Sequence, residues 1–233
     1  MRFNRAIGEI KALSFDLDDT LYDNRPIIKA AIRAMLDYVE QFPEWQEQGE
    51  HFWRDCRRAV LDKDDSLEGD VTRWRHVALH YAFTELGFPE EDAVRHSTGA
   101  FNAFMSARCN ITVSEDVLIL LNKLRQKYPL VAITNGNVDV EQFNLKGYFD
   151  FVLQAGRDGT AKPANAMYLT ACARLNIEPS ELLHIGDSLD SDVQGARQAG
   201  CASIWLENQF APYSFKGLAD LEIQDIRQLA LFL

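Results

Sequence analysis

Three stretches of this sequence place acids, hydroxyls and amides directly after short apolar runs: Asp16-Leu17-Asp18-Asp19-Thr20, Thr134-Asn135-Gly136-Asn137, and Gly186-Asp187-Ser188-Leu189-Asp190-Ser191-Asp192. In an open α/β sheet, ligands bind beyond the carboxyl ends of the strands, so the three clusters are expected to converge on one edge. Asp16 and Asp18 stand two apart at a strand end, where alternation sends both side chains to the same pocket. With Asp187 added, carboxylates about 4 Å apart repel by about 4 kcal/mol per pair at an effective dielectric near 20. An incoming phosphate dianion adds to the repulsion, so the cluster requires a cation. Carboxylate oxygens with phosphate as co-ligand suit Mg²⁺, a hard ion that keeps some of its waters. Lys162, in Ala161-Lys162-Pro163, supplies a second positive charge if its loop returns to the same edge.

Taken singly, each piece has a plainer reading. Asp-rich strand ends serve as turns and helix caps, Thr134-Asn135-Gly136 is a turn signal, and Asp190 reads as a helix-start or solvent residue. The conjunction of the clusters, in order and at strand ends, carries the functional argument.

The elements that must position these residues are legible as apolar, β-favouring runs at Ala12 to Leu17, Leu130 to Thr134, Phe151 to Leu153, Leu182 to Ile185 and Ala202 to Leu206. Several have the unbroken character of strands buried on both faces. Helical patterns lie between them. One starts at Ser114 as N-cap and recurs at Val117, Leu118, Leu121 and Leu124; others run from about Asn165 to Leu175 and from Asp192 to Ala199, the last stopped by Gly200. Strands alternating with helices predict a doubly wound, Rossmann-like α/β core with a parallel sheet. Residues 22–112 break the rhythm with four helical segments and no strand: Pro26 to Gln41, Trp45 to Asp62, Asp70 to Leu86 and Pro89 to Arg108. They read as an inserted all-helical domain, leaving residues 1–21 and 113–233 for the core.

At 47% apolar content the 233-residue chain can bury a substantial core. Acids outnumber bases 35 to 24, and the net charge of −11 opposes nucleic acid and anionic membranes as partners. Cys56, Cys109, Cys172 and Cys201 show neither zinc-site nor disulfide-framework spacing and are expected to be reduced. No stretch has the length of a membrane span or the pattern of a signal peptide, so a cytoplasmic protein is expected. The expected partner is a small molecule, with the chain a monomer or homodimer.

The ordered set resembles the haloacid dehalogenase-like hydrolase superfamily, whose four motifs are matched by Asp16-Leu17-Asp18-Asp19-Thr20, by Thr134, by Lys162, and by Gly186-Asp187 followed by Asp192. The resemblance spans the core and implies a mobile cap over a Rossmann-like sheet, with the insertion as a helical type I cap that excludes bulk water. Asp19 stands where many members have Gly, and Asp tolerates left-handed backbone better than most residues. Phe15 to Pro26, Asp70 to Arg75 and Val131 to Asn137 look like the bacterial riboflavin-pathway phosphatases, which implies a phosphorylated metabolite such as 5-amino-6-(5-phospho-D-ribitylamino)uracil or FMN as substrate. The resemblance implies Asp16 as nucleophile, Asp18 as acid and base, and Thr134, Asn135 and Gly136 as phosphoryl contacts with Lys162. It implies Mg²⁺ on Asp16, Asp187 and the Asp18 carbonyl, with Asp192 outside or water-linked. Trp74 reads either as core of the insertion or as a stacking platform for a flat ring, with Arg73 and Arg75 beside it as a solvated face. Competing readings are a phosphatase of another sugar or nucleotide phosphate, a Mg²⁺-independent 2-haloacid dehalogenase, and a non-catalytic binding module.

Overall fold

Residues 1–207 and 215–233 are described by the computed structural model; residues 208–214, part of the range expected for the core, lie outside the described residues. The chain divides into two compact units, Met1–Asn24 with Thr112–Leu233, and Arg25–Ile111.

Among the described residues of the first unit, seven strands form one sheet: β1 (Arg2–Phe3), β2 (Ala12–Phe15), β3 (Leu130–Thr134), β4 (Phe151–Gln154), β5 (Leu182–Gly186), β6 (Ala202–Leu206) and β7 (Leu221–Ile223). Their order is β1-β7-β6-β5-β2-β3-β4. Only β1 runs antiparallel, on β7; the other pairings are parallel. Every residue of β2, β3 and β5 is buried, which is why these strands read as continuous apolar runs. The doubly wound α/β class is the one expected. Two strands were not: β1 and β7 are two and three residues long, too short to carry a pattern. β1 exists only because Phe3 finds Leu221, more than two hundred residues away in the chain, and β7 also pairs with β6.

The second unit holds α1 (Asn24–Val39), α2 (Pro43–Gln46), α3 (Phe52–Lys63), α4 (Val71–Glu85) and α5 (Glu90–Arg108), with α1 beginning one residue before the unit. The helix expected from Trp45 to Asp62 is broken into α2 and α3. Gly49, a poor helix former by about 1 kcal/mol relative to Ala, sits in the break, where the Phe52 N–H turns back onto its carbonyl at 3.0 Å. Asp70 caps α4 by accepting the Arg73 N–H at 2.9 Å, and Gly87, at φ +85°, follows the end of that helix in left-handed backbone.

Aromatic rings fill this unit: Phe83, fully buried, meets Phe42 and Phe88 edge-on at 5.2 and 5.5 Å. Trp74 packs against a second cluster of the same unit. Its indole N–H donates to the Arg57 carbonyl at 3.0 Å, the Arg57 guanidinium covers its ring at 4.2 Å, and Val60, Leu67 and Ala78 form the cluster it packs against. Arg73 lies in solvent with Asp64. Arg75 departs from the solvated face expected of it: it lies 3.8 Å over the Phe104 ring, and burial, with the Arg57 and Arg108 charges, lowers its pKa to about 10.

Helices α6 (Glu115–Leu124), α7 (Ala166–Leu175) and α8 (Gly195–Gln198) complete the first unit. Val117, Leu120, Leu121 and Leu124 bury the inner stripe of α6; Ser114 stands at its start in extended backbone without a side-chain cap bond. The helix expected from Asp192 to Ala199 is shorter than its pattern, because residues Leu189–Gln194 form a wider π-type turn before α8 begins. All four cysteines are buried, and none forms a disulfide. No helix among the described residues is long and apolar enough to cross a membrane.

Phe83→Ala should lower stability by about 3–5 kcal/mol, the usual result of emptying a buried aromatic site. Urea unfolding followed through tryptophan fluorescence, to which Trp45, Trp53 and Trp74 of this unit contribute, measures it. An unchanged midpoint would show that Phe83 is not part of a packed core.

Candidate active site

Neighbouring strands lie about 4.8 Å apart, so the ends of β5, β2 and β3, adjacent in that order, bring Asp187, Asp16 and Thr134 side by side. β2 ends at Phe15, earlier than expected, and the chain turns immediately. Asp18 forms an isolated bridge with Tyr22 and accepts its phenolic O–H at 2.7 Å. Asp19 is left-handed at φ +58°, and its carboxylate accepts the Asn24 N–H at 2.8 Å. A left-handed residue with a Cβ costs about 1–2 kcal/mol, least for Asp and Asn, which accounts for an acid in a place that commonly takes Gly.

Lys162 occupies the centre. Its Nζ lies 2.6 Å from Asp16 Oδ1, 2.6 Å from Asp192 Oδ1 and 2.8 Å from the Ile133 carbonyl, so three donors meet three acceptors. The Lys162 and Asp192 side chains are 1% exposed, and Asp16 10%. Asn135 returns the Lys162 loop to this edge: its side-chain amide donates to the Lys162 carbonyl at 2.8 Å and accepts the Lys162 N–H at 2.7 Å. The resemblance implied Asn135 only as a phosphoryl contact; this side-chain clamp spans 27 positions and leaves no local signal. The Lys162-Pro163 peptide is cis.

The Thr134 hydroxyl accepts the Gly136 N–H at 2.9 Å, which leaves its own proton for a ligand. Gly136 was expected to contact a phosphoryl group. Its N–H is instead taken by Thr134 and its carbonyl by the Gln154 amide at 2.8 Å, so it shapes the loop. Asp187 is half-buried, its carbonyl fixed by the Trp205 indole N–H at 2.7 Å. Asp192 is held on both oxygens: Oδ1 accepts from Lys162 and lies 3.1 Å from His184 Nε2, and Oδ2 accepts the Ser188 N–H at 2.9 Å. The π-type turn delivers Asp192 to this position, and Gly186 makes room for it, since a Cβ there would stand 2.2 Å from the Asp192 Cγ. Asp190 is exposed, as expected.

Burial raises the Asp16 pKa well above the usual range; the Asp192 and Asp18 charges add to this and Lys162 opposes it. Burial alone would also raise Asp192, but Lys162 and His184 outweigh it and hold that carboxyl low. Lys162 is raised: burial works against its charge and the two carboxylates prevail. The cluster is therefore short of positive charge at Asp16. Carboxylate oxygens of Asp16, Asp187 and Asp192 lie within 4.8 Å of one another, an all-oxygen donor set suited to a hard divalent ion. Both oxygens of Asp192 are already engaged, Oδ1 by Lys162 and His184 and Oδ2 by the Ser188 N–H.

A family model described as haloacid dehalogenase-like hydrolase matches residues 10–200. The chain is 42% identical over 208 residues, 88% of its length and 87% of the relative's, to the 5-amino-6-(5-phospho-D-ribitylamino)uracil phosphatase YigB of Escherichia coli strain K12. It is 32% identical, over 96% of each chain, to a phosphoglycolate phosphatase of Chromobacterium violaceum. A solved structure, 2-haloacid dehalogenase from Pseudomonas syringae pv. Tomato DC3000, superposes with a TM-score of 0.89 at 33% identity, covering 95% of this chain and 97% of that one.

Lys162→Met leaves Asp16 and Asp192 buried without their ammonium, and breaking a buried pair in this way costs about 3–5 kcal/mol. Both carboxyls then have folded-state pKa values above their unfolded value of about 3.9, so the deficit is complete at neutral pH and shrinks as the pH falls through those raised values. Urea unfolding in EDTA should show a gap between variant and parent at about pH 7 that narrows at about pH 5. An equal gap at both would mean that uncompensated carboxylates are not its source.

Proposed function

This chain belongs to the haloacid dehalogenase-like hydrolase family, and from that premise we propose that it hydrolyses phosphate monoesters of small metabolites, with Asp16 as the nucleophile. The observation that carries this reading is the buried Lys162 ammonium, 2.6 Å from Asp16 Oδ1, at a strand end where Thr134 and Asp187 also gather. An Asp16 oxygen attacks phosphorus in line with the ester bond. That bond breaks, its electron pair leaves on the alcohol oxygen, and Asp18 gives this oxygen a proton. Asp18 then takes a proton from the water that attacks the phospho-aspartate at phosphorus, which releases phosphate and restores both acids. Such proton transfer contributes about 10² to 10⁴ in rate. The Thr134 O–H and the Asn135 backbone N–H donate to phosphoryl oxygens, and Lys162 offsets the developing charge. The Asp16 and Asp187 carboxylates and the Asp18 carbonyl would hold Mg²⁺, which when bound would supply the positive charge that the acids and a phosphate dianion together require.

The likeness to the E. coli enzyme supports 5-amino-6-(5-phospho-D-ribitylamino)uracil as the substrate; FMN, implied by the sequence resemblance, is the alternative. Such metabolites belong to the cytoplasm, and we assign the reaction to that compartment. The Pseudomonas syringae dehalogenase supports a second reading on the same fold. Halide displacement forms no alkoxide and so has no use for an acid at Asp18, whose carboxylate is oriented here by Tyr22. Asp18 therefore favours the phosphatase.

Purified protein with Mg²⁺ should release phosphate from FMN and p-nitrophenyl phosphate but no chloride from 2-chloropropionate; the reverse pattern selects the dehalogenase. Asp16→Asn should abolish turnover, and EDTA should do so reversibly on readdition of Mg²⁺. Asp18→Asn should slow FMN hydrolysis by about 10² to 10⁴. With p-nitrophenyl phosphate, whose leaving group departs without an acid, the same variant should give a stoichiometric burst of nitrophenolate and then slow turnover. Steady, burst-free release would remove Asp18 from the second step.

A further inference from the structure

Ser14 and His184 lie within strands that read as plain apolar runs, and no step above uses them. Both are fully buried. They are register partners in the parallel pair β2 and β5, so their side chains stand on one face, with Ser14 Oγ 2.9 Å from His184 Nδ1. The other ring nitrogen, Nε2, lies 3.1 Å from Asp192 Oδ1, the oxygen that also accepts from Lys162. Tyr168 covers the imidazole edge-on at 4.9 Å and donates its hydroxyl to the Ser191 carbonyl at 3.0 Å.

The role of each atom follows from what its partner can do. An ionised carboxylate only accepts, so the hydrogen between His184 and Asp192 belongs to Nε2. The charge of the one carboxylate that the ring faces is already met by the Lys162 ammonium on the same oxygen, and Nδ1 faces only the Ser14 hydroxyl, so nothing beside the ring calls for a second proton. The ring is therefore neutral, and Nδ1, left bare, accepts the Ser14 O–H. Were the tautomer reversed, a lone pair would face the Asp192 carboxylate. Held in this form, the Nε2–H fixes Oδ1 while the Ser188 N–H fixes Oδ2, so the carboxylate cannot rotate away from Lys162.

We propose that Ser14 and His184 form a positioning relay for the nucleophile: the Ser14 hydroxyl selects the imidazole tautomer, the imidazole fixes Asp192, and Asp192 holds Lys162 against Asp16. Ordered groups behind a reactive carboxylate commonly change activity about 10- to 100-fold when removed. The kinetic consequence rests on the phosphatase reading; the tautomer does not.

Two measurements on the full chain test the relay. A long-range ¹H–¹⁵N spectrum should show one histidine, absent from the His184→Gln spectrum, with a protonated Nε2 and a bare Nδ1; the opposite tautomer, or protons on both, overturns the proposal. With p-nitrophenyl phosphate, His184→Leu should lower kcat about 10- to 100-fold with KM within about twofold of the parent. His184→Gln, whose amide can present an N–H to Asp192, should restore most of the loss. A folded His184→Leu protein as fast as the parent, or His184→Gln as slow as His184→Leu, would reduce His184 to core packing. If His184→Leu does not fold, Ser14→Ala decides: a lowered kcat at unchanged KM supports the relay, and an unchanged kcat sinks it. A parent protein without phosphatase activity would overturn the functional reading and leave the tautomer to decide this one.

Discussion

A lysine ammonium buried between two aspartates, with a backbone carbonyl as its third acceptor, is the interaction on which the site depends. Its geometry is tight because the alternative is expensive: an ionised group taken out of water without partners costs several kcal/mol even after relaxation. Every donor on Lys162 is used, and each acceptor comes from a different stretch of chain, at Asp16, Ile133 and Asp192. The sheet, the Lys162 loop and the turn after β5 must therefore all be in place before any of them is stable in this form. The arrangement still leaves the Asp16 carboxyl raised, by its burial and by the Asp192 and Asp18 charges, with Lys162 opposing them. A site in that condition is suited to a divalent cation and, through it, to a phosphate.

The fold meets this requirement with few devices. Parallel pairing puts the carboxyl ends of β5, β2 and β3 in one row, and the strand spacing sets the separation of the groups beyond them. Local departures from regular structure then aim the side chains. Asp19 turns the chain through left-handed backbone, Gly186 gives up its side chain so that Asp192 can pack onto it, and the π-type turn widens the step into α8. Such irregularities concentrate where regular elements would point a functional group the wrong way. The same frame appears in relatives whose names give them dehalogenase or phosphatase chemistry. Fold alone does not separate these; under the proposed mechanism the Asp18 carboxylate does, because only an oxygen leaving group needs its proton.

How much was legible can be judged residue by residue. The five longest strands were visible as apolar runs, most plainly β2, β3 and β5, which are buried on both faces, and the acids beyond them were visible because side chains of that kind seldom belong to a core. Ser14 and His184 were not legible: each sits alone within such a run, and their partnership exists only through the register of β2 with β5. The side-chain role of Asn135 and the break between α2 and α3 were missed for related reasons, one depending on a contact 27 residues away and the other on a single weak helix former. Arg75 was misread because helical periodicity gives a face and not what packs on it; Phe104, on another helix, decided that.

By itself the sequence determined the chemical inventory: a carboxylate just past the first long strand, a second two positions on, a hydroxyl, a lysine and a distal pair of aspartates, most of them at or just past a strand end. It could do so because residue type and spacing are local properties, and strand ends in a parallel sheet share one edge. Tertiary structure alone decided which oxygen faces which donor, which carboxyl is held low and which is driven high, and which strand residues stand behind the site. Those outcomes depend on distances of a few ångströms between segments far apart in the chain and on the exclusion of water from among them, and both exist only once the sheet has formed.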